Sequence, residues 1–159
     1  MRHAGRLIDL ADPRLRRLHA YWSGLRGGRL APGRSDLDPM AMRELLGQIA
    51  VVELQPGDGA ARYHYRLMGT RLADQDGVDL TGKSLASDPS EGQRDQLCRH
   101  YDAVVQSQQP AYRELERQQR DRRYRYGCLA MPLSQTGTGV DGLLVARVYL
   151  SGSLASKLG

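Results

Sequence analysis

The stretch Arg62-Tyr-His-Tyr-Arg-Leu-Met-Gly-Thr-Arg-Leu-Ala-Asp-Gln-Asp-Gly-Val-Asp-Leu-Thr-Gly-Lys-Ser-Leu85 reads as a strand that stops at a glycine, then a short helix, a glycine turn and a second short helical piece. Tyr63, Tyr65 and Leu67 alternate with His64, Arg66 and Met68, the period of a strand with one buried face. Gly69 ends the strand, and Thr70 is placed to cap the helix by accepting a backbone N–H bond. Gly77 supplies the left-handed residue that ends it. Short helices directly after a strand build a pocket wall, because they leave space that a long helix would fill. This points towards a receptor for a small molecule.

Outward from this stretch, Gln48–Gln55 is an apolar strand candidate, joined to it by a turn at Pro56-Gly57-Asp58-Gly59. Pro89 to Gln108 forms a longer helix with Leu97, Cys98, Tyr101, Val104 and Val105 on one face. Pro110–Arg117, Arg122–Leu133 and Val140–Leu150 are three further strands, the last two separated by the turn Gln135–Gly139. Upstream, Asp12-Pro13 opens a helix with aspartate as cap and proline at its first position. Leu15, Leu18, Tyr21, Trp22 and Leu25 form its apolar stripe, which must dock on the domain or on a second copy. Asp38-Pro39 opens a second helix ending near Leu46-Gly47. The expected fold is α+β, a five-stranded antiparallel sheet with helices on one face and an N-terminal helical extension. The expected division is residues 1–46 for the extension and linker, 47–150 for the domain and 151–159 for a frayed tail.

The 159 residues suit one domain, which at this length buries roughly 70% of its unfolded surface without disulfides. Cys98 and Cys128 are the only cysteines, and the apolar runs fall far short of the roughly 20 residues of a membrane span. A reducing, cytoplasmic setting is expected. The net charge is +5, with 21 arginines against Lys83 and Lys157 as the only lysines. Residues 1–34 carry eight arginines against Asp9 and Asp12, a basic arm that either presents a solvated helix face or meets nucleic acid or an anionic surface. The solvated face is the preferred reading. Phenylalanine is absent, and eight tyrosines and Trp22 supply the rings.

In this order and spacing, several motifs resemble a short bacterial PAS-domain subfamily, over Leu10 to Tyr149. They are Tyr21-Trp22, Arg26-Gly27-Gly28-Arg29, Pro32 with Arg34, Asp36-Leu37-Asp38-Pro39, Leu45-Leu46, Tyr65-Arg66-Leu67-Met68-Gly69-Thr70, Asp79-Leu80-Thr81-Gly82 and Met131-Pro132-Leu133. Leu25 stands where a basic residue is common, and Gly47 where proline is common. The resemblance implies a sensory or interaction module and transfers no catalytic residue; the expected function is a non-enzymatic regulatory module that binds a small ligand or a protein partner and signals in trans, with a pure interaction module of filled core as the alternative.

Candidate sites follow from both readings. Leu67, Leu72, Leu80, Leu97, Tyr101, Val104, Arg113, Tyr126 and Leu129 are the expected pocket lining, or else an ordinary core. An arginine such as Arg113 there would suit an anionic ligand. The Leu15, Leu18, Tyr21, Trp22 and Leu25 stripe is the expected dimer or partner surface, making a homodimer the expected assembly. The cofactor is unknown. The chain lacks the Asn-Cys-Arg motif that a flavin-binding light sensor carries on its short helix. His100 lies about 100° around the helix from Tyr101, off the inward face on which a haem ligand would sit. Cys98 and Cys128 lack zinc-site spacing. The glycine pairs at Gly57/Gly59 and Gly137/Gly139 join strand to strand, unlike a dinucleotide fingerprint. Asp36/Asp38 and Asp74/Asp76 are read as turn and cap aspartates. Arg120–Tyr126 alternates as a half-buried strand in preference to a nucleic-acid platform.

Overall fold

A computed structural model describes residues 10–119 and 122–152. Helix α1 (Pro13–Arg26) is followed by two 3-10 segments, Arg34–Asp36 and Pro39–Gln48. Strands β1 (Ile49–Leu54) and β2 (Tyr63–Met68) flank a 3-10 turn, and helix α2 (Thr70–Asp76) comes next. After another 3-10 turn at Leu85–Ser87 come helix α3 (Glu91–Ser107) and strands β3 (Ala111–Gln119), β4 (Arg122–Leu133) and β5 (Gly142–Gly152). The strands form one antiparallel sheet in the order β2-β1-β5-β4-β3. The expected α+β architecture is the one observed. Ser151 and Gly152 continue β5, whereas the expected tail from 153 onward, residues 1–9 of the basic arm and Arg120-Asp121 lie outside the described residues.

The sheet is buried on both sides. On its inner face Ala50, Val52, Tyr124, Tyr126, Cys128, Ala130, Leu143 and Val145 meet Leu72 of α2 and Leu97, Tyr101 and Val104 of α3. On its outer face Ile49, Val51, Leu129, Met131, Leu133, Leu144, Ala146 and Val148 meet α1 and the segment carrying Met42 and Leu45. Both faces of β4 and β5 are thus covered, which explains their near-continuous apolar runs.

Helix α1 begins as its sequence demands, with the Asp12 carboxylate accepting from Arg14 N at 2.8 Å and Pro13 in the first turn. Leu15, Leu18 and Trp22 are buried on the outer face, and the Trp22 indole donates to the Pro132 carbonyl at 2.8 Å. Tyr21 and Leu25 are half-buried, and Tyr21 Oη accepts from Asp38 N. Of the two expected docking surfaces, the domain or a second copy, the stripe's Leu15, Leu18 and Trp22 use the first, and Tyr21 and Leu25 remain partly exposed. A stripe of this kind needs only an apolar surface, and the chain's own sheet supplies it. The described arginines of the basic arm are engaged locally. Arg14, Arg17, Arg29 and Arg34 pair with Asp12, Glu44, Asp36 and Glu53. Arg16 donates to the Leu10 carbonyl, and Arg26 lies over Trp22.

Strand β2 departs from simple alternation. Val51 pairs with Leu67 and Val52 with Tyr65, so Arg66 is an extra residue, a bulge. Tyr63 and Tyr65 point inward, but past the bulge the inward residue is Met68, and Leu67 is left 44% exposed. Gly69, not Thr70, is the residue before α2, and Thr70 is its first helical residue. Gly69 N donates to the Ile49 carbonyl at 2.8 Å, and a Cβ at Gly69 would collide with the backbone carbonyl of Gly47. Gly77 ends α2 with φ +74°, as expected.

Candidate functional site

The inner face, between the sheet and helices α2 and α3, is occupied by the chain's own side chains. Of the expected pocket residues, Leu72, Leu80, Leu97, Tyr101, Val104 and Tyr126 converge there, none more than 1% exposed. Three do not. Leu67 is turned outward by the bulge at Arg66. Leu129 is buried on the opposite, outer face, because inward positions of β4 fall at Tyr124, Tyr126, Cys128 and Ala130. Arg113 is exposed on the edge strand β3, and the buried arginine of that strand is Arg117, four residues on.

Rings with hydroxyls fill the centre. Tyr65 Oη and Tyr101 Oη are 2.7 Å apart, Tyr63 packs edge-on to Tyr101 at 5.1 Å, and Tyr63 Oη donates to Asp102. Burial pushes the Tyr65 and Tyr101 phenols above their ordinary range, so both stay neutral.

Beside this cluster lies a buried charged network. Asp76, the last residue of α2, is 3% exposed. Its carboxylate accepts two hydrogen bonds from Arg147 of β5, at 2.9 and 2.8 Å, from separate guanidinium nitrogens. It also accepts from Tyr124 Oη and, at 3.4 Å, from Gln93 Nε2. Arg117 of β3 lies 3.7 Å from the same carboxylate, donates to the Asp76 carbonyl at 3.1 Å and to Asp88 at 2.9 Å. Tyr126 Oη donates to Gln93 Oε1 at 2.6 Å, and the Arg147 guanidinium sits 4.0 Å from the centre of the Tyr126 ring. Burial by itself would raise Asp76, but the charges of Arg147 and Arg117 and the donated hydrogen bonds hold it below the usual carboxylate range. Removing one member of such a set leaves a charge buried without compensation and costs about 3–5 kcal/mol.

Asp76 is thus not the turn aspartate its sequence position indicated. Asp36 and Asp38 do serve turns and caps, accepting from Gly33 N and Met40 N. One signal for the network was present in the sequence. Arg117 and Arg147 each follow apolar residues at inward alternation, Leu115 in β3 and Leu143 and Val145 in β5.

His100 is fully buried, contrary to its expected off-face position, because α3 is covered on that side by β4. Its Nε2 lies 3.1 Å from the Cys128 carbonyl, and its Nδ1 is buried without a partner. Burial and the Arg113 charge push the imidazole down to about 4, against the opposing pull of the Cys128 carbonyl. Cys128 is buried, its thiol pushed up to about 12 by burial, and Cys98 is half-buried. Tyr124 and Tyr126 face inward while Arg123 and Arg125 pair outside with Glu116 and Glu114, the expected half-buried strand. Open surface clefts lie elsewhere among the described residues. One of about 380 Å³ is bounded by Glu53, His64, Arg66 and Thr81, and one of about 210 Å³ by Arg34, Leu54, Gln135 and Asp141. Among the described residues no helix is long and apolar enough to cross a membrane.

The sequence matches the PAS domain model over residues 10–144, and the chain belongs to the PAS domain family. PAS domains are typically sensory modules without catalysis of their own. The fold is similar to that of a light-oxygen-voltage domain studied with a flavin analogue, with a TM-score of 0.51 and 10% identity over 75% of this chain and 88% of that one. Other similar structures are a sensory box sensor histidine kinase from Vibrio cholerae (TM-score 0.48, 12% identity, 70% of this chain and 90% of that one) and the PAS domain of Bordetella pertussis BvgS (0.42, 14%, 69% and 78%). No curated protein matches the sequence.

Proposed function

We propose that the chain is a non-enzymatic sensory and interaction module that acts on a separate partner, with an interior filled by its own side chains in place of a large cofactor. One observation carries this reading. The inner face, where a flavin- or haem-sized group would sit, is occupied by Tyr65, Tyr101, Tyr126 and the Asp76–Arg147–Arg117–Asp88 network. Making room for a large planar group would break a hydrogen-bonded charge network as well as apolar contacts. Arginines 117 and 147 are buried and held by bidentate and backbone bonds to Asp76 and Asp88, away from the open surface clefts. The partner-facing surface on this reading lies away from the α1 stripe, whose large residues are used inside the chain.

The test is the full chain purified from cells, measured by native mass spectrometry and by its absorption spectrum. The expected result is the mass of protein alone, or of a protein oligomer, with no absorption beyond the aromatic band. A stoichiometric retained flavin, haem or comparably large compound overturns the reading.

A further inference from the structure

The two buried arginines and the two buried aspartates come from different layers. Arg117 and Arg147 stand on β3 and β5, within the sheet. Asp76 and Asp88 both come from the cover, one from the end of the seven-residue helix α2 and one just after the Leu85–Ser87 turn. The sheet thus presents a cationic receptor, and the cover presents carboxylates to it. The receptor has the form expected for a planar anion. Two guanidinium nitrogens of Arg147 address both oxygens of one carboxylate, Tyr124 Oη and Gln93 Nε2 add a donor to each, and Arg117 stands alongside. The Arg147 Nε is buried without a partner, so the receptor holds donor capacity that Asp76 does not use.

We propose that Arg147, Arg117, Tyr124 and Gln93 form an internal carboxylate-binding site, that Asp76 is its resident occupant, and that a small free carboxylate displacing Asp76 is the input this domain responds to. The proposal rests on reading the chain as a sensory module. A free carboxylate takes the volume of the one it displaces, so a filled interior does not exclude it. It binds only the state in which Asp76 has left, and so it shifts the cover towards that state by its affinity for the vacated arginines. What then changes is the path from Thr70 to Asp88, whose apolar anchors are Leu72, Leu80 and Leu85.

Formate is the probe, since it is a carboxylate with nothing attached. In Asp76→Ala the site loses its occupant, and the melting temperature is expected to rise saturably when formate replaces chloride at constant ionic strength. The expected rise is about 3–6 °C at ten times the formate Kd. The rise is expected to vanish in Asp76→Ala/Arg147→Met. The wild-type chain provides a reading that does not depend on a variant folding. Amide exchange in 70–88 is expected to accelerate about tenfold at formate ten times the Kd of the open site, with β4 and β5 unchanged. No rise beyond the chloride control in a folded Asp76→Ala protein, wild-type exchange that is the same in formate and chloride, or an acceleration shared by the whole sheet each overturns the proposal. A formate-blind protein removes this site and leaves the sensory-module reading standing, whereas a retained large cofactor removes that reading by a different measurement.

Discussion

Acid should weaken this fold through His100 well before its carboxylates protonate. The imidazole donates from Nε2 to the Cys128 carbonyl at 3.1 Å, which leaves Nδ1 as a buried lone pair with no partner. Protonation there would bury a positive charge and an N–H without an acceptor, with Arg113 adding repulsion. The folded value of about 4 lies below the unfolded value of about 6.5. As pH falls the unfolded chain binds the proton first. The stabilisation is therefore complete above about pH 6.5, shrinks between 6.5 and 4, and is absent below. The whole window corresponds to about 3 kcal/mol, of which about 1 kcal/mol is lost by pH 5.5. For a chain of this size, 1 kcal/mol shifts the melting temperature by about 2–4 °C. The assay is urea unfolding followed by Trp22 fluorescence from pH 7.5 to 4.5, on the wild type and on His100→Gln. Glutamine keeps a donor for the Cys128 carbonyl and does not titrate. The contribution from His19, whose imidazole is pushed down by burial, cancels in the difference. The wild type is expected to lose stability more steeply with falling pH, and equal slopes in the two proteins would refute the reasoning.

Two further outcomes follow from packing. Gly69→Ala drives a methyl into the Gly47 backbone carbonyl, whereas Gly127→Ala meets the Tyr112 ring, a side chain that can turn aside. Thermal melts are expected to show the larger loss at Gly69, and an equal or reversed order would contradict the close backbone approach. Removal of residues 1–28 strips α1 from the outer sheet face and uncovers Leu129, Met131, Leu133 and Val148. Light scattering is expected to report polydisperse aggregates, and a monodisperse monomer would show that α1 is dispensable to that face.

The order of elements was legible because each carries its own local signal. Asp12-Pro13 starts α1, Gly77 stops α2, and strand β4 has the same limits, Arg122–Leu133, in sequence and structure. What eluded the sequence depends on pairing. The bulge at Arg66 exists only relative to β1, and alternation counted along β2 alone selects Leu67 over Met68. Leu129 was misplaced by the same counting, since an apolar residue in a strand buried on both sides fits either face. Asp76 finds Arg147 71 residues away, and Arg117 finds Asp88 29 residues away, distances at which no local spacing reports a partner. The PAS resemblance supplied the architecture but not the contents of the inner face, because that face is specified by side chains whose partners are set by the fold.

The lack of phenylalanine has a consequence for how this protein can vary. The outer face is made of Leu, Ile, Val, Met and one indole, shapes that can be exchanged for one another when total volume is kept. The inner face also carries five tyrosines whose hydroxyls are all bonded: Tyr63 donates to Asp102, Tyr65 and Tyr101 bond each other, Tyr124 donates to Asp76 and Tyr126 to Gln93. A ring there cannot be traded for an equal volume of hydrocarbon without leaving another polar group stranded. The two sides of one sheet should therefore drift at different rates among descendants of this sequence, the side covered by α1 freely and the tyrosine side only by coordinated replacement of bonded pairs.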